Sequence, residues 1–384
     1  MNFPLDAEQL LDTARVETSL DDFGDPTFEE GLRVLLDALR DEGDLSPMGI
    51  EIHRFTLGRL LRERLRVLDW HRRHPEISQQ VVRAPFFITG LPRTGTTALS
   101  HLLAEDPETR SLAVWESEEP TPPPETATRD SDPRIAACAE RLGYLLANPE
   151  FLKMYDGTAT SPTENIDLLG QHFRTEHFEG MAAVPGYIRW WLDCDMLPAY
   201  RHHKLVLQLL QWRCPGMRWN LKSPPDLCHL AAFSEIYPDA RILWTHRDPA
   251  TVLASVCKLI AFIRAMQSDR VDPQQLGREQ LTLWSEATRR ALEFRSSVGE
   301  TNFVDVFLAD MVKRPIETVA KIYDRFDLPL TAEAERRMRA WSHSHGLHRH
   351  GSVSYTLAEF GLDRDKIREA FRSYTDHFSI PLED

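Results

Sequence analysis

The chain has 384 residues, 42% of them hydrophobic and 27% charged, which is typical of a globular protein with a large core. Its net charge of −14 argues against a general nucleic-acid or anionic-membrane binder, because phosphate groups would repel it. The five cysteines are odd in number and follow no close-spaced metal-binding pattern, and the N-terminus lacks an apolar signal segment. We therefore expect a cytoplasmic protein without a disulfide framework or a membrane span.

The first 80 residues are predicted to form a helical extension. Leucines recur at helical spacing from about Ala7 to Pro75, where a proline ends the pattern. From residue 81 to residue 384, short apolar strands alternate with helices, and a helical insertion occupies about residues 130–215. This alternation predicts a P-loop-like, three-layer α/β/α fold with a central, mostly parallel sheet.

The predicted elements of the second region follow one another in a regular order. The strands are expected at Pro85–Thr89, Trp219–Leu221, Arg241–Thr245 and Asn302–Phe307. The helices are expected at Arg134–Leu146, Tyr187–Gln211, Pro225–Tyr237, Thr251–Met266 and Glu279–Val298. A proline-rich loop, TPPPETATRDSDP, precedes the first of these helices.

The segment GLPRTGTT, residues 90–97, joins the first strand to a helix. Such a loop directs backbone N–H groups and the positive end of the helix toward an anion. Its spacing matches the P-loop of nucleoside triphosphatases, but Thr96 stands in place of the lysine and Arg93 is the cation of the loop. A nucleoside triphosphatase would also have a magnesium-binding carboxylate after a core strand, but the segment after the strand at Arg241–Thr245 contains the cation Arg247 instead. Both departures favour an anion held by arginine without a metal, although a simple β–α turn would also fit.

Three segments together resemble the sulfotransferases that use phosphoadenylyl sulfate (PAPS). GLPRTGTT, LKSP and ILWTHRDPATVLAS resemble the bacterial members and the tyrosylprotein and carbohydrate branches, over about Phe86 to Ser255. The resemblance implies transfer of a sulfuryl group from PAPS to an acceptor hydroxyl, with the bisphosphate PAP as the second product. Arg93 stands where the cytosolic phenol and steroid branch has a lysine, which separates the chain from that branch.

The resemblance also implies which residues hold the donor. The loop that would bind the 5′-phosphosulfate consists of Pro92, Arg93, Thr94, Gly95, Thr96 and Thr97. Arg247 and Ser255 would bind the 3′-phosphate, and Arg349 and Gly351 match, more loosely, a segment that contacts the 3′-phosphate and adenine. The alternative is that Arg247 pairs with a carboxylate and that Ser255 only packs in its helix.

Sulfuryl transfer makes demands similar to those of phosphoryl transfer: in-line geometry, cations for the developing charge and a base for the acceptor. Arg93 and Lys222 are the predicted catalytic cations, and Lys222 resembles a catalytic lysine of the tyrosylprotein branch. Glu116 is the predicted base, because its position is similar to that of the glutamate base of the same branch. Glu116 could instead be a surface carboxylate, and Lys222 an exposed strand-end lysine. The alternative bases are His172, His177 and Glu164.

The acceptor is less well specified by the sequence. Six apolar residues could line its pocket or belong to the core: Phe173, Phe178, Tyr187, Trp190, Trp191 and Leu192. We expect a small alcohol, a phenol or a lipid hydroxyl, and the sequence is compatible with a homodimer.

The tail histidines His343, His345, His348 and His350 match no standard zinc pattern, so no metal is expected. The competing functions are a P-loop kinase that uses ATP and magnesium and a nucleotide-binding protein without catalysis.

Overall fold

Three helices begin the chain. The computed structural model describes residues 3–155, 157–344 and 356–383. Helices α1 (Ala7–Thr18), α2 (Phe28–Asp41) and α3 (Pro47–Arg73) account for the helical leucine spacing, and each directs its leucines into the core. Asp6 and Ser46 cap α1 and α3 by accepting backbone N–H groups of the first turn. The expected division of the chain at about residue 80 stays a prediction.

A five-stranded parallel sheet lies at the centre of the remaining chain. Its strands are β1 (Phe86–Gly90), β2 (Thr109–Ser111), β3 (Arg218–Lys222), β4 (Arg241–His246) and β5 (Phe303–Phe307), in the order β2-β3-β1-β4-β5. The α/β fold class and the four predicted strands are confirmed. Strand β2 was not predicted, because three residues are too few to produce an alternating pattern.

Helices flank the sheet and build the rest of the molecule. They are α4 (Thr96–Ala104), α5 (Val114–Glu118), α6 (Pro133–Leu146), α7 (Pro149–Met154), α8 (Ile166–Gly170), α9 (His177–Met181), α10 (Pro185–Asp193), α11 (Leu197–Trp212), α12 (Leu230–Ile236), α13 (Pro249–Ala265), α14 (Pro273–Val298), α15 (Leu308–Lys313), α16 (Pro315–Arg325), α17 (Ala332–Ser344), α18 (Arg364–Ala370) and α19 (Arg372–Phe378). The helix predicted over Tyr187–Gln211 is two helices, because the chain leaves helical geometry at Cys194 and restarts with Pro198 in the first turn of α11. No helix in the described ranges has the length and apolarity needed to cross a bilayer.

The register of the sheet brings three predicted segments to one edge. Strand β1 is central, with Ile88 paired to Lys222 of β3 and Gly90 paired to Thr245 of β4. Because all strands are parallel, the loop after β1, the end of β3 and the segment after β4 meet at the carboxyl edge of the sheet. That edge is where open α/β sheets bind their ligands.

Candidate active site

The loop between β1 and α4 is held in shape by two glycines and one threonine. Gly90 has φ 134°, and a Cβ there would lie 2.5 Å from the Thr245 carbonyl oxygen, so only glycine lets β1 and β4 approach. Gly95, with φ 94°, caps the N-terminus of α4. The buried Thr94 hydroxyl donates to the Leu91 carbonyl (2.5 Å) and contacts the Thr245 hydroxyl (2.5 Å). The side chain of Thr94 thus fastens the loop to β4.

Lys222 lies at the end of β3 and reaches two groups beside the loop. Its Nζ donates to the Thr97 hydroxyl (3.2 Å) and to the Glu164 carboxylate (3.0 Å). The Asn165 backbone N–H donates to the Lys222 carbonyl (3.0 Å), which holds the segment bearing Glu164 against the end of β3. The predicted cation, the first turn of α4 and one of the alternative bases therefore converge.

Arg93, Ser255 and Arg247 also lie together. Arg93 Nε donates to the Ser255 hydroxyl (3.2 Å), and Arg247 Nη1 donates to the Arg93 carbonyl (3.4 Å). Ser255 is in the second turn of α13, directly after the segment that contains Arg247. The sequence-predicted donor residues of three separate segments are thus brought within hydrogen-bonding distance.

Arg247 makes a further contact that the sequence analysis missed. Its Nε and Nη2 donate to the two carboxylate oxygens of Glu383, at 2.9 and 2.8 Å. The Glu383 backbone N–H donates to Asp248 (2.8 Å), and its carbonyl accepts from Arg364 (2.5 Å). The alternative interpretation, that Arg247 pairs with a carboxylate, is therefore also supported, because Glu383 provides that carboxylate. Glu383 lies 136 positions along the chain and belongs to no motif, so no local signal could have revealed it.

Most of these residues line one cavity of about 1870 Å³. Its lining includes Pro92, Arg93, Gly95, Thr96 and Thr97 of the loop, and also Glu164, Lys222, Arg247 and Glu383. The cavity extends beyond the sheet edge to α6, α7 and α13. A cavity with convergent polar groups at a sheet edge is the expected form of a substrate site.

Glu116 is not presented to this cavity. Its side chain is 0% exposed, and its carboxylate accepts from Arg110 (3.0 and 3.2 Å), from Arg129 (3.0 and 3.3 Å) and from the Ala113 backbone N–H. Burial alone would raise the pKa of Glu116, but the charges and hydrogen bonds of the two arginines outweigh it and lower the pKa. This geometry argues against the predicted role of Glu116 as the base, because an enclosed, fully paired carboxylate cannot reach an acceptor hydroxyl.

The two histidine candidates have different surroundings. His172 is buried, its Nδ1 accepts from Arg174 (2.7 Å), and burial with two nearby arginines lowers its pKa to about 2. His177 lines the cavity, and burial lowers its pKa, so its imidazole is neutral near pH 7. Of the two, only His177 is in a position to meet a substrate.

The remaining predicted residues are those of the acceptor pocket, which lie in the core, and those of the C-terminal tail. Four of the six candidate pocket residues are fully buried core, and Trp190 and Leu192 pack against that core. Arg349, Gly351, His345, His348 and His350 lie outside the described residues. His343 is exposed at the end of α17, and no three possible metal ligands converge in the part of the chain that the structure describes.

A parallel sheet whose central strand leads through a glycine-bounded loop into a helix defines a P-loop-like α/β fold. Residues 85–332, well over half of the chain, match the sulfotransferase family. The chain belongs to the sulfotransferase family and is an enzyme of sulfuryl transfer.

Two solved structures are similar over nearly the whole chain. Sulfotransferase STF9 from Mycobacterium avium is 31% identical, with a TM-score of 0.92 and coverage of 100% of both chains. Sulfotransferase STF1 from Mycobacterium tuberculosis H37Rv is 33% identical, with a TM-score of 0.86 and coverage of 96% of this chain and 99% of the other. A comparison with curated proteins gives no match.

Proposed function

We propose that this enzyme transfers the sulfuryl group of PAPS directly to the hydroxyl of a small alcohol, phenol or lipid acceptor. The observation that carries the proposal is the convergence of Arg93, Lys222, Arg247 and Ser255 around the anion loop. In this assignment the loop and Thr97 hold the 5′-phosphosulfate, and Arg247 and Ser255 hold the 3′-phosphate. Such cations, fixed in advance, stabilise charge that develops during transfer.

Each catalytic cation has a separate task in this proposal. Arg93 stabilises charge on the oxygen that bridges sulfur and phosphorus as that bond breaks, and Lys222 stabilises the oxygens of the transferred group. The acceptor oxygen forms its bond to sulfur on the opposite side, and its proton is taken by a base. No covalent enzyme intermediate is needed.

We assign the role of the base to Glu164 rather than to Glu116. The Glu164 side chain is 29% exposed and lines the cavity, and its Oε1 lies 3.0 Å from Lys222 Nζ. When Lys222 turns to the sulfuryl oxygens, the Glu164 carboxylate becomes available to the acceptor hydroxyl. His177, which lines the same cavity, is the remaining alternative.

Donor binding must also replace a contact that the protein makes with itself. The Glu383 carboxylate occupies the guanidinium edge of Arg247 with the bidentate geometry that a phosphate would use. The 3′-phosphate and Glu383 therefore compete for Arg247.

The decisive experiment measures transfer of ³⁵S from labelled PAPS to a panel of alcohols and phenols in the presence of EDTA. We expect labelled product and stoichiometric PAP. The same preparation should not hydrolyse ATP when magnesium is supplied. Magnesium-dependent transfer from ATP would establish the kinase alternative. Tight PAP binding with no transfer, unchanged in Lys222→Ala, would establish a nucleotide-binding protein without catalysis.

A further inference from the structure

The lining of the cavity combines charged groups with apolar side chains. The donor end is formed by the anion loop, Lys222 and Arg247. Another part of the lining comes from α6, α7 and α13, which contribute mainly hydrocarbon: Leu142, Leu145, Phe151, Leu152, Leu259 and Ile263. Lys153 of the same wall is paired with Glu150 of its own helix (2.5 Å).

Several of these apolar side chains are not packed away in the core. Leu152, Leu259 and Ile263 are only half-buried, and Leu145 is 37% exposed. Phe151 of α7 stacks on Phe262 of α13, with ring centroids 5.7 Å apart, which joins the two helices into one wall. Apolar surface left open inside a cavity is typical of a site that receives an apolar ligand.

The apolar wall is continuous with the proposed base. Glu164 and Ile166 both line the cavity, and Ile166 begins α8 two residues after Glu164. Met181, at the end of α9, and Met266, which follows α13, extend the same surface. A hydroxyl beside Glu164 would therefore have apolar side chains in the same cavity to receive the carbon atoms that bear it.

The size of the cavity agrees with two ligands bound together. Sites for a single drug-sized molecule usually enclose about 300–1000 Å³. The cavity of about 1870 Å³ exceeds that range, and its lining includes the apolar helices as well as the anion loop. A compact polar acceptor such as a sugar would leave most of that apolar surface in contact with water.

We infer that the acceptor is a lipid-like alcohol, whose hydroxyl lies between Glu164 and Lys222 and whose hydrocarbon body lies along α6, α7 and α13. This inference rests on the proposed function and narrows its acceptor to one chemical class. The hydrocarbon body binds because its transfer out of water is favourable. The polar group of the acceptor is the hydroxyl that accepts the sulfuryl group. Recognition of this kind depends on the length of the apolar body.

A homologous series of primary alcohols, from butanol to decanol, tests the inference with PAPS as donor and PAP release as readout. Burial of each added methylene should raise kcat/KM about fourfold until the wall is filled, or on the order of 10²-fold from butanol to octanol. A flat series, or a preference for sugars and polyols, overturns the inference while PAP release still supports the proposed function. Calorimetric titration of the PAP-loaded protein with octanol and butanol decides the question without turnover, since equal affinities would also overturn it.

Variants locate the hydrocarbon on the proposed wall. Ile263→Asn and Leu152→Asn should each flatten the chain-length dependence and leave PAP affinity unchanged. Val298→Asn is the control, because Val298 is an exposed apolar residue at the end of α14, outside the cavity. If both wall variants keep the parental chain-length dependence, the hydrocarbon does not lie on α7 and α13 and the inference fails.

Discussion

Glu383→Gln should tighten the binding of PAP, because it removes the charge that competes with the 3′-phosphate for Arg247. The Arg247 and Glu383 side chains are 24% and 39% exposed, so their ion pair is a partly solvated one. Pairs of this kind contribute about 0.2–1 kcal/mol, and recovery of that energy corresponds to at most about a fivefold lower Kd. The gain should shrink as salt is added, since salt screens exposed charges.

Isothermal titration calorimetry with PAP and with adenosine 5′-monophosphate provides the measurement. The monophosphate lacks the 3′-phosphate, so its Kd should be the same for both proteins. Glu333→Gln is the matched control, because Glu333 pairs with Arg336 on the exposed face of α17. In the Arg247→Ala background the gain from Glu383→Gln should vanish, which is the expected result of a double-mutant cycle for coupled residues. Equal tightening of both nucleotides, or a gain that persists without Arg247, would refute the competition.

Three further predictions concern catalysis and stability. Arg93→Ala should lower turnover by about 10²–10³-fold with a much smaller change in PAP affinity, and parental turnover would remove it from the mechanism. Glu164→Gln should lower turnover by about 10²–10⁴-fold with normal thermal stability, whereas Glu116→Gln should destabilise the fold by up to about 3–5 kcal/mol and leave turnover of the folded enzyme largely intact. The reverse pattern would restore Glu116 as the base. The third prediction is that the free energy of unfolding decreases below pH 6.5, as followed by urea titrations at pH 7.5 and 5.5. Burial lowers the pKa of His53 to about 4 and that of His203 and His229 to about 3, so these side chains stay neutral when folded but take up protons when unfolded. Each contributes a loss approaching about 1.4 kcal/mol per pH unit below its unfolded pKa of about 6.5. Burial raises the pKa of Asp226 and that of Glu179 to about 7, and these two carboxyl groups act in the opposite sense. Equal stability at both pH values would contradict this account.

The sheet and the loop between β1 and α4 could be predicted because their signals are local. Apolar runs bounded by glycine and proline identify strands, and GLPRTGTT carries its own geometry in the positions of Gly90 and Gly95. Parallel pairing then places Lys222 and Arg247 at the same edge without any knowledge of the helices between them. The sequence therefore predicted which segments meet, and the structure adds the contacts between them.

The surroundings of Glu116 and Glu164 and the partner of Arg247 could not be predicted for the opposite reason. Glu116 and Glu164 are both carboxylates near plausible helix starts, and only tertiary packing buries the first between Arg110 and Arg129 and leaves the second beside Lys222. Glu383 reaches the site through the fold of the C-terminal helices. No spacing rule connects it to residues more than a hundred positions earlier.

The strand order also has a consequence for how the chain folds. Strand β1 lies between β3 and β4, yet residues 91–217 separate it from β3. At a synthesis rate of about 5–20 residues per second, β1 leaves the ribosome roughly 6–25 s before its first partner exists. Phe86, Phe87 and Ile88, which are buried in the folded protein, thus lack their strand partners during that interval, and unpaired apolar segments of this kind can pair with other chains. The loop between β1 and α4 is consequently attached to a strand that gains its partners late, and its shape depends on the completion of β4, whose Thr245 contacts Thr94.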